Sequence, residues 1–133
     1  MIIDNALLDE LEAQAKDSPR LRQNLDLRTS NEDSSQRMLN ALMPGTQVSV
    51  HRHNETTETV VVLRGSVEEI LFDNNGVECA RYTLSRESGN FALQIPKGQW
   101  HTVVVKEPCV ILEAKDGAFK RLTSYDVLNS SSF

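Results

Sequence analysis

The chain holds three histidines, and their spacing invites a chemical reading. His51 and His53 are separated by one residue, and His101 follows a Pro96-Lys97-Gly98 turn. Glu58 stands shortly after the pair. Three imidazoles and one carboxylate are a donor set suited to a divalent first-row transition metal. Residues i and i+2 of a strand project to the same side, so His51 and His53 point together. Glu58, after a loop at residues 54–57, returns beside them if the two segments form an antiparallel hairpin. His101 has to be carried across the interior by a distant strand. Nitrogen and oxygen donors at about 2.0–2.2 Å would then surround the ion. In an octahedral field they leave adjacent positions for water, dioxygen or a bidentate substrate. Taken alone, His51-Arg52-His53 reads more readily as solvated imidazoles on a surface strand with an unrelated His101; the full spacing, with Glu58, Gly45, Gly65 and Pro96-Lys97-Gly98 before His101, favours a metal site.

The elements that must position these residues are mostly strands. Thr46, Val48 and Val50 alternate with Gln47, Ser49, His51 and His53, a period of two. Residues 57–64, 67–72, 78–84, 91–95, 101–105 and 109–114 read the same way. Asn75-Gly76 predicts a type I′ hairpin turn, with positive φ at both residues. Short strands at roughly ten-residue spacing, separated by turn residues, predict a sandwich or barrel. Ahead of them, residues 4–17 predict a helix with Leu7, Leu8, Leu11 and Ala15 on one face. Asp4 or Asn5 caps its start, and Ser18-Pro19 ends it. Its single narrow apolar stripe places it outside something larger. Leu21, Leu25 and Leu27 anchor an extended segment at residues 20–28. Residues 36–43 fit a short helix by propensity or a strand by the barrel's need for partners. The barrel is expected over about 36–116 and a flexible tail over about 124–133.

With 133 residues the chain is expected to form one domain, 1–133. A net charge of −5 argues against a nucleic-acid partner, which needs a basic face. No apolar run approaches the roughly 20 residues of a membrane span. The first residues show no basic and apolar leader pattern, so the expected location is cytoplasmic. Cys79 and Cys109 are then expected to be buried thiols rather than a bridge.

The pattern Gly45, His51-Arg52-His53, Glu58, Gly65 resembles the first cupin motif at every position. Gly89, Pro96-Lys97-Gly98 and His101 resemble the second. That second motif departs by one extra residue after Gly89 and by Val105 where many cupins have asparagine. The likeness extends over roughly residues 18–119 to the WbuC-type cupin-fold metalloproteins. It rests on Ser18-Pro19-Arg20 with Asn24, Gln36-Arg37, Leu39-Asn40-Ala41-Leu42, Pro44-Gly45-Thr46, Val61-Val62-Leu63-Arg64-Gly65, Ile95-Pro96 and Trp100-His101-Thr102. The resemblance implies an all-β fold: a small single-domain cupin, a double-stranded β-barrel of jelly-roll type with an N-terminal helix. It favours strand over helix at residues 36–43. It implies that His51, His53, Glu58 and His101 bind one divalent ion of nickel, iron, manganese, zinc or copper. It also links the chain with O-antigen and other surface-polysaccharide metabolism, and with a homodimer paired through sheet edges.

Arginines supply the candidates for gripping a small anionic ligand, because guanidinium pairs with carboxylate or phosphate as a bidentate fork. Arg20, Arg22, Arg37 and Arg64 are those candidates, and solvated surface charge is the alternative for each. Arg64 shares strand parity with Glu58, which would turn it toward the pocket. Arg37 and Asn24 enter through the family likeness. Trp100 has parity opposite to His101 and is expected to pack outside. Glu68 and Glu69 show nothing beyond strand alternation. Two functions follow. In one, a metal-dependent enzyme acts on a small polar or anionic substrate. In the other, a non-catalytic module holds a carbohydrate or metabolite through the metal, a reading kept open because no general base remains once the ligands are assigned.

Overall fold

The computed structural model describes residues 1–128; residues 129–133, the end of the expected tail, lie outside the described residues. One helix precedes eight strands: α1 (Asn5–Asp17), β1 (Arg22–Asp26), β2 (Ser35–Leu42), β3 (Glu58–Arg64), β4 (Ser66–Phe72), β5 (Glu78–Ser85), β6 (Ala92–Ile95), β7 (Trp100–Val104) and β8 (Cys109–Asp116). They form two antiparallel sheets, ordered β1-β2-β8-β3-β6 and β5-β4-β7. The segment expected at 36–43 is thus a strand, Ser35–Leu42, because β2 pairs along its length with β8 and over Met38–Leu42 with β1.

Strand alternation divides the larger sheet's residues between two cores. Leu39, Ala41 and Val110 meet Leu8, Leu11 and Ala15 of α1 on the outer face. Leu42, Val60, Ile95, Cys109 and Ile111 pack inward with Val67 and Leu84 of the smaller sheet. Asp4 caps α1 by accepting from the Leu7 N–H at 3.0 Å. The inner core is apolar at one end and polar at the other. Along β3 the sequence runs inward from Glu58 to Val60 and Val62; along β8, Ile111 is followed on the same side by Glu113 and Lys115.

Four local expectations are corrected. The strand anticipated at 46–53 is no regular ladder. Only His51 exchanges both backbone hydrogen bonds with His101, at 2.9 and 2.8 Å. Its neighbours bond elsewhere: Thr102 Oγ1 donates to the Val48 carbonyl, and the Leu128 and Arg52 N–H groups bond the Val50 and Asp126 carbonyls. Residues 124–128, expected as loose tail, therefore lie along this segment, with a 3-10 turn at Ser124–Asp126. The turn at Asn75-Gly76 is not type I′. Only Gly76 has positive φ, +79°, and the Asp73 carboxylate accepts from the Asn75 and Val77 N–H groups, which stabilises a longer loop. Cys79 is exposed rather than buried, because it faces outward on β5, an edge strand; Cys109 is buried as expected.

The fourth correction concerns Arg64. The register of β3 against β8 slips between Val62 and Arg64. A bulge of this kind inserts one residue and reverses the side on which later side chains emerge. Arg64 consequently leaves the interior and bonds Asp9 at 2.7 Å and Asn5 Oδ1 at 2.9 Å on α1. The chain then turns at Gly65, φ +75°, where an added Cβ would lie 2.2 Å from the Pro108 carbonyl.

Candidate metal centre

Four elements deliver side chains to the polar end of the interior. The irregular segment before β3 brings His51 and His53, β3 starts at Glu58, β7 brings His101 and β8 brings Lys115. The direct backbone pairing of His51 with His101 sets their rings side by side, with centroids 4.3 Å apart. His53 joins at centroid distances of 5.1 and 5.6 Å. One nitrogen from each ring lies within 4.8 Å of the others.

Backbone carbonyls orient two of the rings. His51 Nδ1 is 2.8 Å from the Ser49 carbonyl and His101 Nδ1 is 2.9 Å from the Gln99 carbonyl. A carbonyl only accepts, so each Nδ1 carries a proton, and Nε2 is the ring nitrogen turned toward the site. His101 Nε2 is buried and has no hydrogen-bond partner among the described residues. Glu58 Oε1 stands 3.5 Å from it, and Oε2 stands 3.9 Å from His53 Nε2. Both separations exceed a good hydrogen bond. A buried polar atom without a partner calls for an explanation. Imidazole nitrogens gathered beside a carboxylate are a donor chemistry that fits a divalent cation, and the three histidines form a group that could hold one.

The electrostatics point the same way. Burial, followed by the nearby His101, pushes the His51 imidazole down to about 4. Burial lowers His53 to about 4 as well, and Glu58 only partly opposes it. Both rings are therefore neutral at pH 7, the state in which imidazole coordinates metal. Burial by itself would raise the Glu58 carboxyl; the adjoining His101 and the Lys115 ammonium outweigh it and hold Glu58 well below the usual carboxylate range.

Three residues of this region were not singled out by their sequence setting. Lys115 lies directly across from Glu58 in the β3–β8 register, and its Nζ is 3.2 Å from Glu58 Oε2 and 3.8 Å from Glu113 Oε2. Asn40 Nδ2 donates to Glu113 Oε1 at 3.0 Å. Burial, then the Glu58 charge, raises the Glu113 carboxyl to about 7. Glu69 is 1% exposed, its Oε2 has no partner among the described residues, and burial pushes its carboxyl well above the ordinary value. Strand parity groups Glu113 with Lys115, but nothing local says which side of β8 faces inward.

The other candidates separate cleanly. A cavity of about 190 Å³ is lined by the three histidines, Glu58, Glu69, Glu113 and Lys115, and at its rim by Arg20, Arg22 and Asn24. Asn24 thus reaches the site. Arg64 does not, held at α1, and neither does Arg37, which pairs with Asp33 at 3.1 Å and bonds the Leu27 carbonyl at 3.2 Å. Trp100 is buried away from the histidines' cavity, with the Arg52 guanidinium 4.3 Å above its ring.

Residues 3–84 match the family described as Domain of unknown function (DUF6016). The chain belongs to that family. No curated protein matches this family member in sequence. Solved structures match its fold. One is CapF of Staphylococcus aureus, described as a capsular polysaccharide assembling protein, at 21% identity and TM-score 0.63 over 77% of this chain and 30% of that one. Another is KdgF of Halomonas sp., at 17% identity and TM-score 0.61 over 77% and 84%. A third is the Cnp3 cupin domain of Schizosaccharomyces pombe, at 12% identity and TM-score 0.57 over 72% and 64%. This DUF6016 member therefore has the cupin fold, two antiparallel sheets with a single N-terminal helix. It spans about a quarter of the CapF chains it matches, 28% and 24%. Among the described residues no helix is long and apolar enough to cross a membrane.

Proposed function

We propose that this chain is a single-domain, metal-binding cupin of the WbuC type, acting as a metal-dependent enzyme on a small polar or anionic substrate. His51, His53, Glu58 and His101 would hold one divalent transition-metal ion. The observation that carries this reading is the buried, partnerless Nε2 of His101, turned toward Glu58 by the Nδ1 bond to Gln99. A metal in such a site supplies Lewis acidity toward a substrate oxygen. The chain's own residues supply the rest. Lys115 holds Glu58 ionised and in place, and the Ser49 and Gln99 carbonyls fix the imidazole orientations.

Glu69 and Glu113 favour an enzyme over a passive binding module. Both carboxyls are raised by burial, Glu113 to about 7, which suits a group that holds and gives up a proton as a general acid or base. The fold likeness to CapF supports a place in surface-polysaccharide metabolism. A cytoplasmic location and a homodimer belong to the same proposal.

Elemental analysis of protein purified without a metal-affinity column tests the reading. We expect a stoichiometric transition metal in the native protein. His101→Ala should lower metal content at least about tenfold, since even outer-shell changes cost 10–100-fold. Full metal retention by that variant would refute the ligand set. Turnover lost with chelator and restored with metal separates the enzyme from a module that binds without product.

A further inference from the structure

The rim of the histidine cavity carries a cationic pair with an unusual mounting. Arg20 and Arg22 both line it, and between them Leu21 has φ +56°, the one positive φ outside glycine among the described residues. A leucine adopts the left-handed region only where its surroundings over-determine it. Here they do. The Leu21 N–H bonds the Ser18 carbonyl at 3.0 Å, its carbonyl accepts from Met43 at 2.9 Å, and its side chain packs into the α1 core. The strained residue is thus fastened from behind, which fixes the backbone on either side of it.

The flanking side chains are not used up by the fold. Arg20 makes no side-chain hydrogen bond or ion pair among the described residues; only its backbone bonds, to Ser18 Oγ and from Thr46 Oγ1. Arg22 gives Nη1 to the Gln47 carbonyl at 3.1 Å, which holds the guanidinium in place and leaves its other donors free. Deeper in the same cavity stand the carboxyl groups of Glu58, Glu69 and Glu113. The guanidinium groups favour an anionic group on their side of the cavity, and Asn40 with the carboxyl groups offers partners to hydroxyl or carbonyl groups farther in. The space, about 190 Å³, suits a small molecule.

We propose that Arg20 and Arg22, set by the left-handed Leu21, form the specificity site for the anionic end of a small hydroxylated carboxylate whose neutral end enters the histidine cavity. This rests on the metal reading above for the position of the substrate's other end, but the arginine site itself is tested separately.

The test is an NMR titration of zinc-loaded protein with lactate, its neutral isostere lactamide, and inorganic phosphate. We expect lactate to bind and lactamide to bind at least about tenfold more weakly, the loss of a charge-assisted bond. Arg20→Gln and Arg22→Gln should each weaken lactate about tenfold, with zinc content unchanged. Arg20→Lys should recover little, because lysine lacks the planar fork. Phosphate binding that depends on the same arginines would also support the site and assign its anion to the phosphoryl class. The Arg20 side chain makes no hydrogen bond or ion pair among the described residues, so Arg20→Gln is expected to keep the fold. Equal affinity for lactate and lactamide, or wild-type lactate affinity in the double Arg20→Gln, Arg22→Gln variant, would overturn the proposal. Loss of zinc from the wild-type protein would instead be a failure of the metal reading. Repeating the titration on metal-free protein then still decides for or against the arginines by the same comparison of variants.

Discussion

Replacing Glu69 by glutamine gives a test whose signature is a slope. The side chain is 1% exposed, with one oxygen unpartnered, and burial followed by the charges of Glu58 and Glu113 raises its carboxyl well above 4.5. In the folded state Glu69 keeps its proton as pH rises past 4.5; in the unfolded state it loses it. The folded value is the higher one, so this group's contribution is complete below the unfolded value and is lost as pH rises toward the folded one. The loss runs at about 1.4 kcal/mol per pH unit. Glutamine does not titrate. In chelator-treated protein, Glu69→Gln should therefore gain on wild type as pH rises from 5 toward 7, by at most about 1.4 kcal/mol per pH unit. At about 3–4 °C per kcal/mol for a chain of this length, the difference in Tm should grow by at most about 5 °C per pH unit. The assay is urea or thermal unfolding of both proteins across that range, comparing differences rather than absolute values. Titrations shared by both proteins, Glu113 included, cancel to first order. A difference that stays flat with pH would show that Glu69 is ionised when folded, and would refute the account of the cavity floor.

Other outcomes follow from the same geometry. His51 and His53 are neutral until about pH 4 in the folded protein, below the usual 6.5. Their contribution to stability is complete above 6.5 and is lost as pH falls through about 4. Protonation of His51 and His53 should accordingly compete little with metal between pH 6 and 8; NMR titration of the imidazole carbon protons in metal-free protein checks this, and midpoints near 6.5 for these two rings would contradict their burial. Native protein should show one fast-reacting thiol, Cys79, because Cys109 is buried and its thiol is pushed up to about 12. Cys79→Ser should abolish that fast phase in a thiol-reagent titration. Gly65→Ala adds a methyl 2.2 Å from the Pro108 carbonyl at φ +75°. It should cost about 2–4 kcal/mol in urea unfolding, combining the left-handed penalty with overpacking.

The failures of sequence reading in this chain have identifiable causes. Parity along a strand is a reliable guide while the ladder is regular, and it set Trp100 opposite His101 on β7. It failed for Arg64 because one inserted residue between Val62 and Arg64 reverses the side, and a bulge leaves no mark in residue types. It was silent for Cys79 because exposure depends on whether a strand lies at an edge, which is a property of the whole sheet. Residues 46–50 read as a strand from alternation, yet their hydrogen bonds go to a threonine hydroxyl and a segment near the C-terminus.

What the sequence determined by itself was the donor set and the periodicities. Imidazoles at i and i+2, a carboxylate after a loop, glycines at the turns and one amphipathic helix are local facts, visible without coordinates. Tertiary structure alone decided which distant groups share the interior with them. Lys115 meets Glu58 through cross-strand register, Glu69 arrives from the opposite sheet, and Arg20 and Arg22 reach the rim because Leu21 is pinned between α1 and Met43. Those juxtapositions arise from sheet pairing between residues far apart in the chain, and no local pattern encodes the partner.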